Sequence, residues 1–167
     1  SLKNLIESFK YFPGIGEKTA ERLAFSVLNL EEEQVKMLAQ SINDAKNNIK
    51  RCKICNNLSE EETCEICKNH DRNSKTLCIV EDPKTVFSIE KLETYHGYYH
   101  VLNGLISSLN GVNPEKLRLD KLIERIQNDK FEEVIIAVKQ SIEGEMTALY
   151  IKNIISDMPI KVTRIAS

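Results

Sequence analysis

The sequence predicts an α+β chain in three parts: a helical stretch over residues 1–50, a small four-cysteine segment over 51–75, and an α/β unit with a mainly parallel sheet over 76–167. Three observations predict it. Apolar residues recur at helical spacing through the N-terminal stretch, four cysteines follow as two CxxC pairs, and the remainder alternates short apolar runs with helical segments. Strand, helix, strand repeated in that way gives parallel strands joined by helices that cover the faces of the sheet.

The helices come first. "LKNLIESF" places Leu2, Leu5, Ile6 and Phe9 on one side of a helix over residues 2–9. A second helix is expected over 18–29 and a third over 31–50, with "EEE" at its start and Lys46 and Lys50 at its end, each charge facing the helix pole that favours it. Between the first two lies "FPGIGEKTAER". A short turn there needs a positive φ, which Gly14 and Gly16 are expected to supply, while Pro13 stiffens the exit from the first helix. Backbone amides from Gly14 to Glu17 at a helix N-terminus form a ready site for a phosphate, which Lys18 and Arg22, one helical turn apart, would flank. The same residues also suit an ordinary helix-helix turn with two solvated side chains.

The cysteines follow. Cys52, Cys55, Cys64 and Cys67 are spaced as CxxC, eight residues, CxxC. Each pair makes a tight knuckle that aims two thiolates at one point, and two knuckles supply the tetrahedral sulfur set that zinc prefers. Four thiolates leave no open position for water, so one structural zinc ion per chain is expected, whose binding folds a segment poor in apolar residues and holds the helical part against the α/β part. His70, just beyond, is either solvated or a replacement ligand. Cys78 lies in an apolar run and reads as a core thiol.

In the α/β unit, "TLCIVED", "GYYHVLN", "EEVIIAV" and "IKVTRIA" read as strands, and "PKTVFSIEKL", "PEKLRLDKLIERIQN" and "GEMTALYIKNIIS" as the helices between them. His96 and His100 have neither a nucleophile nor a metal-ligand spacing beside them and read as structural. Tyr95, Tyr98 and Tyr99 suit either core packing or stacking on bases.

Charge narrows the function classes. The net charge is −2, and residues 1–75 carry 12 basic and 12 acidic side chains against 11 and 13 after them. The field of the whole chain does not draw phosphate, so any nucleic-acid contact requires a local patch, or copies of one gathered in an oligomer. No run of about 18 apolar residues spans a bilayer and no secretory pattern opens the chain, so a cytoplasmic protein is expected.

Taken together, "FPGIGEKTAERLAF", the four cysteines, "CIVEDPKTVFSIE", "YHGYYHVLNGLISSLNGVNPE", "EGEMTALYI" and "KVTRIA" resemble, in order, the RecR family of bacterial recombination mediators. The resemblance implies a helix-hairpin-helix domain, a four-cysteine zinc finger and a Toprim domain. It further implies a nucleoid-associated protein without enzymatic activity that clamps single- and double-stranded DNA as a tetrameric ring. Such a protein works with RecO, and in many bacteria RecF, to load RecA onto gapped DNA coated by single-strand binding protein. On this reading Gly14, Gly16, Lys18 and Arg22 grip the DNA backbone without reading sequence. The chain stops where the family continues through a terminal segment that joins subunits, so at most a dimer, formed through Leu2, Leu5, Ile6 and Phe9, is expected of these residues.

The Toprim resemblance raises a chemical question, because related enzymes hold magnesium with a Glu after the first strand and an Asp-x-Asp after a later one. Here Glu81 and Asp82 follow the first strand, but Lys139 and Ser141 stand at the two Asp positions, where the family usually carries Asn and Thr. A lysine opposes a hard cation in that shell. Glu81, Asp82, Glu143 and Glu145 are an acidic remnant with room for weak ion binding, and Lys139 suits a pair with Glu81, a partner contact or solvent. Two rival readings stay open: a small Toprim nuclease, and a zinc-stabilised adaptor that does not touch DNA.

Overall fold

The computed structural model describes residues 1–165. Ala166, the last residue of the expected fourth strand, and Ser167 lie outside the described residues. The chain divides into two units, one formed by Ser1–Asn48 and the other beginning at Ile49.

The first unit is three helices, α1 (Leu2–Phe9), α2 (Glu17–Leu28) and α3 (Glu32–Asn48). α1 packs on α2, and its apolar stripe of Leu2, Leu5, Ile6 and Phe9 is half-buried. Only Ala20 and Ala24, small residues one turn apart on α2, are fully buried in the unit. At the start of α3 the Glu31 amide donates to Gln34 Oε1 at 3.0 Å, with Glu32 and Glu33 in the first turn and Lys46 in the last. It stops two residues short of the expected Lys50, which enters a strand instead.

The second unit begins with that strand. β1 (Lys50–Arg51) pairs antiparallel with β2 (Leu58–Ser59), and a single turn, α4 (Glu65–Lys68), follows. None of these three short elements carries enough periodicity to be read from sequence. The sheet beyond them has the strands β3 (Thr76–Val80), β4 (Tyr98–Val101), β5 (Glu133–Ala137) and β6 (Lys161–Arg164), in the order β4-β3-β5-β6. All three pairings are parallel. Every residue of β3 is buried, as a central strand covered on both faces requires.

Three helices cover the sheet: α5 (Pro83–Glu90), α6 (Leu119–Asp129) and α7 (Ile142–Ile154). Leu77, Ile79, Val134 and Ile136 pack on one face with Leu122 and Ile126 of α6 and Ile151 of α7. Cys78, Val80, Tyr99 and Val101 pack on the other with Val86 of α5. The helix expected over 114–128 is broken: a 3-10 turn over Pro114–Leu117 ends at Arg118, whose φ of 50° turns the chain before α6 starts. α7 starts two residues before the expected Gly144, because Ser141 caps it.

Candidate functional site

The Sγ atoms of Cys52, Cys55, Cys64 and Cys67 all lie within 4.8 Å of one another, and Cys55 and Cys64 approach to 3.5 Å. Sulfurs about 2.3 Å from a tetrahedral zinc are separated by about 3.8 Å, so the donor set fits one ion. The first knuckle is shaped by Asn56, which takes a φ of 63° while the Cys52 amide donates to Asn57 O at 2.7 Å and the Asn56 amide to Cys52 O at 2.9 Å. A further amide, from Cys64, donates to Cys52 Sγ at 3.3 Å and supports charge on that sulfur. Thiol chemistry points the same way. Hydrogen bonding from Cys55, then Cys67, pulls the Cys64 thiol far below its ordinary value, whereas the Cys67 thiol is pushed up by its bonds with Cys55 and Cys64. A thiolate is favoured at Cys64 and opposed at Cys55 and Cys67, an imbalance that a divalent cation removes.

The knuckle is tied to the edge of the sheet. β4 is an edge strand, and its outer polar groups would otherwise offer a template for pairing. The Val101 amide donates to Cys55 O at 2.8 Å, Asn56 Nδ2 donates to Val101 O at 2.9 Å, and Arg51 Nη2 donates to Asn103 Oδ1 at 2.9 Å. Further along, Tyr98 Oη donates to Asn69 O at 2.7 Å. These bonds join the zinc segment to the sheet. His70 is exposed and lies outside the sulfur cluster.

A second cluster sits at the carboxyl ends of β3 and β5, where the chain leaves neighbouring strands toward opposite faces and parallel sheets open a crevice. Glu81, Asp82, Lys139 and Glu143 line a cavity of about 490 Å³ there, together with Asn103 and Asn110. Asp82 is occupied in capping α5, its Oδ1 accepting from the Thr85 amide at 2.9 Å and from Thr85 Oγ1 at 3.1 Å. Ser141 Oγ accepts from the Gly144 amide at 3.0 Å. Gly144 is required at that turn, because a Cβ would stand 1.9 Å from Lys139 O. Glu145, expected with the other acids, turns away and pairs with Arg164. Among the described residues Glu81 Oε2 is buried with no hydrogen-bond partner, and no ion pair joins Glu81 to Lys139. Among the described residues, the only convergent group of three or more His, Cys, Asp or Glu is the four cysteines.

The hairpin is the third candidate. Gly14 takes the positive φ, 81°, but Gly16 does not: at φ −85° it is extended and serves as the N-cap of α2. No side chain caps α2, and a Cβ on Gly16 would meet nothing within 4 Å. The amides of the first turn therefore have no side-chain partner at the N-cap. Glu17, the acidic residue in that turn, is drawn to Lys10 at 2.8 Å, while Lys18 and Arg22 are exposed and in no ion pair among the described residues.

Two tyrosines and a histidine are structural. Tyr99 is fully buried and donates to Glu90 Oε1 at 2.6 Å, and Tyr95 donates to Tyr98 O at 2.8 Å. Burial, aided by Arg125, lowers the His100 imidazole to about 3. Sequence reading missed Arg72, whose guanidinium holds Glu90 at 3.0 and 2.7 Å and Gly97 O at 2.8 Å, because nothing local marks an arginine whose partners lie 18 and 25 positions away.

Three family profiles match the chain. Residues 2–46 match the RecR helix-hairpin-helix, residues 49–69 the RecR zinc finger domain with four cysteines, and residues 75–166 the Toprim domain. A relative from Staphylococcus aureus (strain Newman), named "Recombination protein RecR", is 42% identical over 165 residues, which is 99% of this chain and 83% of the relative.

Proposed function

This chain belongs to the RecR family, and from that premise we propose that it is a DNA-binding recombination mediator that clamps single- and double-stranded DNA. In this reading it acts in the cytoplasm, at the nucleoid, with RecO and RecF to load RecA onto gaps coated by single-strand binding protein. The four-cysteine cluster holds a structural zinc ion that shapes the chain and takes no part in chemistry. No helix among the described residues is long and apolar enough to cross a membrane.

The observation that carries the reading is the open start of α2, with uncapped amides beside exposed Lys18 and Arg22. Amides at a helix N-terminus donate to a phosphate oxygen, and the two cations add attraction that is blind to base sequence. Clamping is supported by apolar surface left open on α2 and α3, where Phe25, Leu28, Met37 and Ile42 are all more than half exposed. That surface suits joining copies of the chain better than the α1 stripe, which is half-buried against α2.

The proposal includes the absence of catalysis. The Ser141 hydroxyl caps a helix, Glu145 pairs with Arg164, and Lys139 brings a positive charge to the place where a nuclease needs carboxylates.

The test is DNA binding by Lys18→Ala/Arg22→Ala over a salt series. Affinity for every sequence is expected to fall together, with a shallower salt dependence. Parental binding by the double variant would remove the hairpin from the DNA site. A cleavage assay with magnesium or manganese tests the nuclease alternative, and strand scission would overturn the non-enzymatic reading.

A further inference from the structure

One groove of the second unit has no role in the reading above. It runs between the zinc knuckle and α6 and encloses about 710 Å³. Six cations line it, Arg51 and Lys53 from the knuckle side, and Lys116, Arg118, Lys121 and Arg125 from the α6 side, against only Glu124 and Asp129. Among the Lys, Arg, Asp and Glu side chains of the lining this is an excess of four positive charges, in a chain whose net charge is −2 and beside a zinc site whose four thiolates outweigh its ion. Lys53 is paired with Glu62 and Arg125 lies near Asp129, but Arg51, Lys116, Arg118 and Lys121 are exposed and in no ion pair among the described residues. Arg51 is held by neutral partners, Asn56 O and Asn103 Oδ1, which leave its charge uncompensated. Like charges gathered without counter-charges cost stability that an anionic ligand would recover.

The wall behind them is built rather than adventitious. The Arg125 side chain is only 10% exposed, its Nη1 donates to Tyr99 O at 2.6 Å, and its Nε faces the Asp129 carboxylate at 3.5 Å. Arg118, Asn56 and Asn103, all lining the groove, hold φ values of 50°, 63° and 60°, a conformation that costs energy in residues other than glycine.

We propose that this groove binds the sugar-phosphate backbone of a single nucleic-acid strand, as a second contact distinct from the hairpin. The inference rests on the DNA-binding reading of the chain and adds a site to it. The groove has the volume of a small-molecule pocket, enough for a stretch of one strand and too little for a duplex. Its lining contains no Phe, Tyr or Trp on which bases would stack, so binding is through phosphate and indifferent to sequence. An acidic protein segment is the weaker fit. Such partners seat an apolar anchor in a pocket, and here Leu102 and Leu117 are buried while Ile54 alone of the apolar lining is exposed.

The experiment titrates the full, zinc-loaded chain with a fluorescent oligothymidylate over a salt series. Parent, Lys116→Gln/Arg118→Gln/Lys121→Gln, and Lys18→Ala/Arg22→Ala are compared, and lysine acetylation is footprinted by mass spectrometry on the parent. Loss of three phosphate contacts is expected to lower the slope of log affinity against log salt by about 2 and the low-salt affinity about tenfold. Melting temperature and zinc content should stay as in the parent. The oligonucleotide is expected to shield Lys116 and Lys121 from acetylation, and polyglutamate is not. A groove variant that binds with the parental slope overturns the proposal while leaving the hairpin reading intact. A weakened groove variant beside a hairpin variant that binds as the parent does the reverse. A parent that binds no oligonucleotide refutes both. Footprinting decides the matter if the triple variant fails to fold: unshielded lysines, or equal shielding by polyglutamate, overturn the proposal.

Discussion

At the start of α7 the Ser141 hydroxyl accepts the Gly144 amide, and at the start of α5 the Asp82 carboxylate accepts the Thr85 amide; at the start of α2, Gly16 has no side chain to offer. The first two helices belong to a layered unit with apolar cores on both faces of its sheet, and the third belongs to a unit whose only fully buried side chains are two alanines. A capped helix start within a packed unit is a joint, its orphan amides satisfied from within. An uncapped start with cations beside it keeps that capacity for a ligand. The contrast supports the proposal that the sparsely packed hairpin is a DNA contact, and it sets the two capped helix starts of the Toprim unit, Thr85 and Gly144, as the comparison.

The contrast is broken most severely by removing zinc. Chelation or Cys64→Ser should unfold the knuckle, whose small core is the cysteines themselves with Ile66, because metal binding supplies its folding energy. The expected sign is loss of hydrogen-exchange protection at the Val101 amide, which is bonded to Cys55 O, with hairpin amides unchanged. Full protection of Val101 in metal-free protein would show that the sheet edge does not depend on the knuckle.

Next in size is Arg72→Ala, which leaves Glu90 without the cation that holds it and should cost about 3 kcal/mol in denaturant unfolding of the second unit. Burial alone would raise the Glu90 carboxyl, but hydrogen bonds from Arg72 and Tyr99 outweigh it and hold the group below its ordinary 4.5. Its folded value is depressed, so its contribution to stability is complete above pH 4.5 and is lost as pH falls through the lower folded value. The parent should therefore lose stability in that acid window, and Arg72→Ala should show a weaker dependence there.

Smaller effects sharpen the comparison of helix starts. Ser141→Ala should cost about 1 kcal/mol through the lost cap and leave DNA affinity alone. Gly16→Ala should cost well under about 1 kcal/mol, since the new methyl meets nothing in the chain, yet weaken DNA binding by standing where a phosphate approaches. Equal DNA affinity for Gly16→Ala and parent would mean that the open start is not the contact.

Much of this architecture is legible in the sequence, because parallel strands buried on both faces leave continuous apolar runs and CxxC pairs fix their own geometry. "TLCIV" and the four cysteines are examples. What is not legible depends on contacts distant in sequence. No local pattern tells that Glu145 leaves the acidic group for Arg164, that Arg118 breaks a helix, or that Arg51 and Lys121 face one groove. Gly16 escapes sequence reading for a related reason: two glycines in one turn look alike, and only the folded chain shows that Gly14 carries the positive φ while Gly16 leaves space.

The most direct measurement is a backbone amide NMR titration of the zinc-loaded chain with a short oligonucleotide. The account expects the amides of Gly16 to Thr19 to shift with saturating, salt-sensitive behaviour, while those of Thr85 and Gly144, already bonded within the chain, stay in place. Shifts at Thr85 and Gly144 with none at Gly16 to Thr19 would contradict it, and would return the DNA contact to the Toprim crevice.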